Sequence, residues 1–147
     1  MNVFGIRQHP EKFIPLLIQK IRDGETVTIH SDASKTKAGS RFYINTEDVA
    51  NAVLFLMKNY KIGEKYNIVG EREMDNLALA KTVAEIMNKE LKYEMVDFHS
   101  SRPGHDLRYA LCGEKMENMG WTPAFSVTER LKQVVEWSLA NTRWLNK

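Results

Sequence analysis

The sequence is almost without cysteine: Cys112 stands alone in 147 residues. An internal disulfide and a cysteine-rich zinc site are therefore excluded. A thiol nucleophile needs a base beside it, and no such pairing is visible around Cys112. Histidine is nearly as scarce. His9, His30, His99 and His105 form no HxxxH or HExxH pair, so no metal site is expected. No apolar run reaches the roughly 18 residues that span a bilayer. The N-terminal residues carry no charged segment followed by an apolar one, so no signal peptide is read there and cytoplasm is the default compartment. Charge of one sign is missing too. Twenty-one Lys and Arg against 19 Asp and Glu leave a net charge of +2. That argues for neither nucleic acid nor an acidic membrane.

Glycine is present but dispersed, at 5, 24, 39, 63, 70, 104, 113 and 120. No two are closer than seven positions, so GxGxxG, GxxGxxG and the phosphate loop are all absent. A dinucleotide turn needs those glycines for its backbone geometry, so this chain holds no complete dinucleotide-binding domain. Dehydrogenase chemistry of the tyrosine–lysine kind fails as well. Four residues after Tyr43, Tyr60, Tyr66, Tyr93 and Tyr109 stand Glu47, Glu64, Gly70, Asp97 and Gly113, never a lysine. No GxSxG elbow supports a lipase-like triad.

What is there is ordinary globular chain. Hydrophobic residues make up 43%, charged residues 27% and aromatics 10%. A chain of this size buries roughly 68–70% of its unfolded surface on folding. Repeats, low-complexity segments and internal linkers are lacking, so residues 1–147 read as one unit. Helical spacing of Phe13, Leu16, Leu17 and Ile21 predicts a helix over 10–22 ended by Gly24, with Pro15 forcing a late start or a kink. Strands are predicted over 26–30, 41–45, 65–70 and 91–98, with a polar loop over 31–40. Thr46 is expected to cap a helix whose stripe Val49, Ala52, Val53, Leu56 and Met57 faces a core. Asp75 caps a helix to about 89 that buries Leu79, Val83, Ala84 and Met87. A short helix over 114–119 follows, and the capping box Ser126-Val127-Thr128-Glu129 opens a last helix with Leu131, Val134, Val135 and Leu139 inward. Alternating strands and helices give an α/β class with an α+β character.

One constellation carries chemistry. Arg102-Pro103-Gly104-His105-Asp106 sets a rigid turn between a guanidinium and an imidazole, so that both can converge on one anion. Arg41 and Lys12 are further candidate cations and Asn67 a candidate amide. An RNA-binding reading of Lys35, Lys37 and Arg41 is the weaker one, since no aromatic platform accompanies them.

The same residues resemble a known family. Asn2-Val3-Phe4-Gly5 with Gln8-His9-Pro10-Glu11-Lys12-Phe13-Ile14-Pro15, Arg41 through Asp48, Gly63-Glu64-Lys65-Tyr66-Asn67-Ile68-Val69-Gly70, Arg102 through Ala110, and Gly120-Trp121-Thr122-Pro123 are similar to segments of the dTDP-glucose 4,6-dehydratases. These belong to the NAD-dependent epimerase/dehydratases of the extended short-chain dehydrogenase/reductase group. The resemblance covers the C-terminal, nucleotide-sugar-binding half of that fold. It implies that Asn2 contacts substrate near the sugar and phosphates, and that Lys12 and Phe13 line the nucleotide pocket. Thr28 and His30 lie along the base, Arg41 and Arg102 neutralise the pyrophosphate, Asn67 hydrogen-bonds near it and His105 completes the rim.

It also implies a dTDP- or UDP-sugar as ligand, with NAD only in the full-length enzyme and no cofactor held by this chain alone. The family's catalytic residues have no counterpart here, so the expectation is a C-terminal part that is inactive by itself. A non-catalytic interaction module, or one chain of a split enzyme, is the alternative. Association with a second copy or a Rossmann-domain partner is expected, because the 65–70 strand and the helix after Thr46 lose their cover. His30-Ser31 replaces the usual Tyr-Gly, Ile6 replaces a proline, and the loop before Arg41 is longer, which leaves base and sugar open.

Overall fold

A computed structural model describes residues 2–98 and 106–146. Among the described residues six strands and five α-helices follow in this order: β1 Asn2–Phe4, α1 Phe13–Asp23, β2 Val27–Ser31, β3 Ser40–Asn45, α2 Thr46–Asn59, β4 Glu73–Asp75, α3 Asn76–Ile86, β5 Tyr93–Asp97, β6 Arg108–Tyr109, α4 Glu114–Asn118 and α5 Val127–Ala140, with a 3-10 turn over Thr142–Trp144. The mixed α/β class is the one expected.

β3 organises the larger sheet. Its first half pairs antiparallel with β4 and parallel with β6, and its second half pairs parallel with β1 in the register Asn2–Tyr43, Val3–Ile44, Phe4–Asn45. β2 and β5 form a separate parallel pair from Val27–Tyr93 to Ser31–Asp97. Period-two alternation sends Phe4 and Tyr43 to one face of β1–β3, and Val3 and Ile44 to the other. On the first face Phe4, Tyr43, Met74 and strand β2 pack with α1, α3 and α5 in the main core, where Leu17, Ile18, Ile29, Leu79, Val83 and Leu131 are sealed from solvent. On the second face Ile44, Ala52, Met116 and Trp121 form a small cluster beneath α2 and α4.

The local signals explain most boundaries. α1 starts late, at Phe13, which puts Pro15 in the first turn, where its missing N–H costs nothing. Its buried stripe is Ile14, Leu17, Ile18 and Ile21, and Leu16 faces outward. Gly24 closes the helix at φ 72°, a left-handed conformation that a side chain disfavours. Asp75 caps α3 through Ala78 N–H at 2.8 Å, and the Ser126–Glu129 capping box is complete at α5. Leu139 remains partly exposed.

Three expectations need correction. Asn45, not Thr46, caps α2: its Oδ1 accepts from Glu47 N–H at 2.9 Å, and Thr46 is the first helical residue. The 65–70 segment forms no strand. It runs instead over the α2 cluster, and Gly70 presses so closely on the Tyr43 carbonyl that a Cβ has no room. Finally, the stripe given to α2 is split. Ala52 is buried, Val49 and Leu56 are half-buried, and Val53 and Met57 are exposed. The helix turns Asp48 inward instead, to a partner that hydropathy does not show. Arg130 of α5 meets Asp48 through two bonds, Nε to Oδ2 at 3.0 Å and Nη2 to Oδ1 at 2.8 Å, and both residues are buried. Arg130 also reaches Glu47 at 2.6 Å and Gln133 at 3.0 Å, and stacks on Phe125.

Candidate functional site

A cavity of about 400 Å³ opens between the first turns of α1, strands β1, β2 and β3, and the start of α3. Each wall follows from local sequence. Lys12 and Phe13 lie at the point where α1 begins, and Lys12 offers no side-chain cap to the first turn. The first N–H groups of that helix, and the positive end of its dipole, are thus left for another acceptor. Alternation along β2 sends Thr28 and His30 to the cavity while Ile29 enters the core. The same rule on β3 pairs Arg41 with Tyr43, and register then sets Asn2 of β1 beside Tyr43.

The floor is polar and ordered. The buried Tyr43 hydroxyl donates to Asn76 Oδ1 at 2.5 Å and is also hydrogen-bonded by the Asn2 side chain. Burial raises the phenol's pKa well above its ordinary range, against the smaller opposing pull of Arg41 and Asn2. Tyr43 therefore stays a neutral donor across physiological pH. Arg41 is held by carbonyls: Nη1 donates to Ser40 O at 2.6 Å and Leu107 O at 2.8 Å, and Nη2 donates to Asp106 O at 2.8 Å. Its guanidinium lies over the Tyr109 ring at 5.2 Å. These contacts use three of the fork's five donors and fix its plane. Thr28 Oγ1 donates to Glu94 at 3.0 Å, His30 meets Phe98 edge-on at 5.8 Å, and Lys20 Nζ donates to Thr26 O at 3.0 Å.

Of the residues singled out in the sequence, Asn2, Lys12, Phe13, Thr28, His30 and Arg41 line this one cavity. Asn67 does not. Its amide donates to the Cys112 carbonyl at 3.1 Å and faces a separate, open groove with Tyr66 and Lys115. Arg102 and His105, with the turn between them, lie outside the described residues. Tyr43, Asn76 and Lys20 line the cavity and were not singled out. Tyr43 was legible, two positions beyond Arg41 on the same strand face. Asn76 follows the cap Asp75 directly, and attention to the cap hid it. Among the described residues no group of three or more His, Cys, Asp or Glu could hold a metal ion, and no helix is long and apolar enough to cross a membrane.

Comparison with known proteins agrees with this architecture. The model of the NAD dependent epimerase/dehydratase family matches residues 1–69. dTDP-glucose 4,6-dehydratase 1 of Escherichia coli is 34% identical over 99% of this chain and 41% of its own length. The crystal structure of the Bacillus anthracis dTDP-glucose 4,6-dehydratase in complex with NAD superposes with a TM-score of 0.84 at 28% identity, covering 99% of this chain and 44% of that one. The Streptomyces venezuelae dTDP-glucose 4,6-dehydratase with NAD and TYD bound gives 0.82 at 31% identity, over 97% and 43%. The chain thus spans about two fifths of the length of the relatives it matches. The chain is thus similar to the NAD dependent epimerase/dehydratase family, and its fold matches the C-terminal portion of the extended short-chain dehydrogenase/reductase structures.

Proposed function

We propose that the chain is the substrate-binding part of a nucleotide-sugar 4,6-dehydratase or epimerase and holds the nucleoside diphosphate of the sugar nucleotide in the β1–β2–β3 cavity. One observation carries this reading. Six residues from four separate elements, Asn2, Lys12, Phe13, Thr28, His30 and Arg41, converge on one cavity beside an uncapped helix start. A diphosphate needs converging cations, amides and backbone N–H groups, and this wall supplies them. Phe13 offers an aromatic ring for a base, and Thr28 and His30 of β2 line the wall beside it. The Asn2–Tyr43–Asn76 floor supplies donors and acceptors for ribose or sugar hydroxyls.

The residues of this chain do not fit NAD, because no glycine-rich strand-to-helix turn exists to cradle a pyrophosphate there. Hydride chemistry is therefore not assigned to them. Their part is to bind and orient, which converts binding energy into position. Calorimetric titration with dTDP and with UDP tests the reading. Saturable binding of at least one is expected, weakened about tenfold by Asn76→Ala through loss of one or two floor hydrogen bonds. No heat with either ligand at millimolar concentration, in a folded sample, counts against it. A second reading, one chain of a split enzyme completed by a Rossmann-domain partner, is favoured by the exposed apolar side of α2.

A further inference from the structure

Arg7 holds a backbone conformation that its residue type disfavours. Its φ is 61°, in the left-handed region, where a Cβ crowds the following carbonyl and only glycine is at ease. Such a conformation persists where the surroundings impose it. The side chain shows what imposes it here. Among the described residues Arg7 makes no ion pair and no side-chain hydrogen bond, and its guanidinium lies 5.9 Å from the centroid of the Trp144 ring. Trp144 ends the 3-10 turn after α5. Its indole also meets Trp137 at 6.3 Å and the Arg143 guanidinium at 5.7 Å, and the adjoining Leu145 is sealed in the main core. The ring is held by its own neighbours, and Arg7 leans on it.

The turn that follows Arg7 builds one wall of the nucleotide cavity. Gln8 Nε2 donates to Val3 O at 3.1 Å, and Lys12 N–H donates to His9 O at 2.9 Å. The chain then enters α1 with Lys12 and Phe13 on the cavity. At the other end of α1, Arg22 Nη2 donates to Asn146 Oδ1 at 3.2 Å. Residues 144–146 therefore grip α1 twice, through the turn before it and through its last turn. We propose that Trp144 is a positioning residue for this cavity: by holding Arg7 in the left-handed conformation it fixes the turn that presents Lys12, Phe13 and the free N–H groups of α1. The inference rests on the reading of the cavity given above. Trp144 does not line the cavity, so it acts through Arg7 and not on a ligand.

The backbone gives this role a signature. Arg7→Ala removes the support and keeps the strain of φ 61°, whereas Arg7→Gly removes both. Alanine is therefore the worse substitution, and Trp144 has nothing left to hold in the glycine variant. Amide hydrogen exchange over residues 8–16 without ligand, and calorimetric titration with dTDP and UDP, test this in the full chain. Trp144→Ala is expected to speed that exchange about tenfold while α3 stays protected, and to weaken nucleotide binding about fivefold. Trp144→Phe should restore most of both. In an Arg7→Gly background Trp144→Ala should add no further loss. Equal losses in the two backgrounds overturn the proposal, since Trp144 then serves general stability alone. Unchanged exchange and affinity in Trp144→Ala overturn it as well. Where Trp144→Ala does not fold, the Arg7 pair decides: equal affinities for alanine and glycine overturn the proposal, and a deficit confined to alanine supports it. A parent chain that binds neither dTDP nor UDP overturns the reading of the cavity instead, and the exchange over 8–16 then decides whether Trp144 holds the turn.

Discussion

α2 and α5 are both 14 residues long, and α2 is the more apolar of the two by composition. Yet α5 buries six residues, Val127, Arg130, Leu131, Val134, Val135 and Ser138, whereas α2 buries only Asp48 and Ala52. The difference lies in what each helix finds to pack on. α5 lies across α1, α3 and β3 in the main core. α2 rests on one strand and a small aromatic cluster, with its outer side uncovered. Apolar content therefore marks a helix as able to bury a face, and the neighbours decide which face and how much of it. Arg130 ties the two together, through the buried Asp48 and through Glu47.

That tie is where the comparison breaks most severely. Arg130→Ala leaves Asp48 buried without its partner, and a loss of about 3–5 kcal/mol is expected by urea denaturation. Next in size is Leu131→Ala, at about 3 kcal/mol, since Leu131 is sealed in the main core. Its counterpart Leu54→Ala on the outer side of α2 should change monomer stability by less than about 0.5 kcal/mol. Equal losses for the two leucines would show that α2 is covered in solution. Caps should treat the helices alike: Ser126→Ala and Asn45→Ala are each expected to cost about 1 kcal/mol.

The smallest effect concerns pH. Arg108, and then Ser40, hold the Glu73 carboxyl below its ordinary pKa and tie β6 and β3 to β4. A depressed folded pKa contributes stability that is present above the ordinary glutamate range and is lost as pH falls through the folded value. Acid titration of stability should therefore show a shallower decline below about pH 4.5 in Arg108→Gln than in the parent.

Much of this molecule was legible in the sequence because its signals are local. Asp75, Gly24 and the Ser126–Glu129 box act within four residues of themselves, and each marks its helix end correctly. The main-core stripes of α3 and α5 were legible for the same reason. What escaped depends on partners far along the chain. Arg130 and Asp48 are 82 positions apart, and nothing near either residue announces the pair. The 65–70 segment has the alternation of a strand, but Tyr66 and Ile68 spend it on packing against the α2 cluster rather than on a ladder. In the site, period two along β2 and β3 was enough to align Thr28 with His30. The arrival of Asn76 at the same cavity needed the antiparallel β3–β4 pairing, which puts the start of α3 beside Ser40.

The pairing of β2 with β5 has a further consequence, in time rather than in energy. Val27 must find Tyr93, 66 positions away, before the second sheet exists. Loop-closure entropy is spent on that meeting before any contact rewards it, which slows folding relative to a bundle of local contacts. Throughout that wait α2, whose backbone hydrogen bonds are local, is free to form with its apolar stripes in water. The refolding chain thus passes through an interval in which its most adhesive surface is assembled and its core is not, and refolding yield should fall as protein concentration rises.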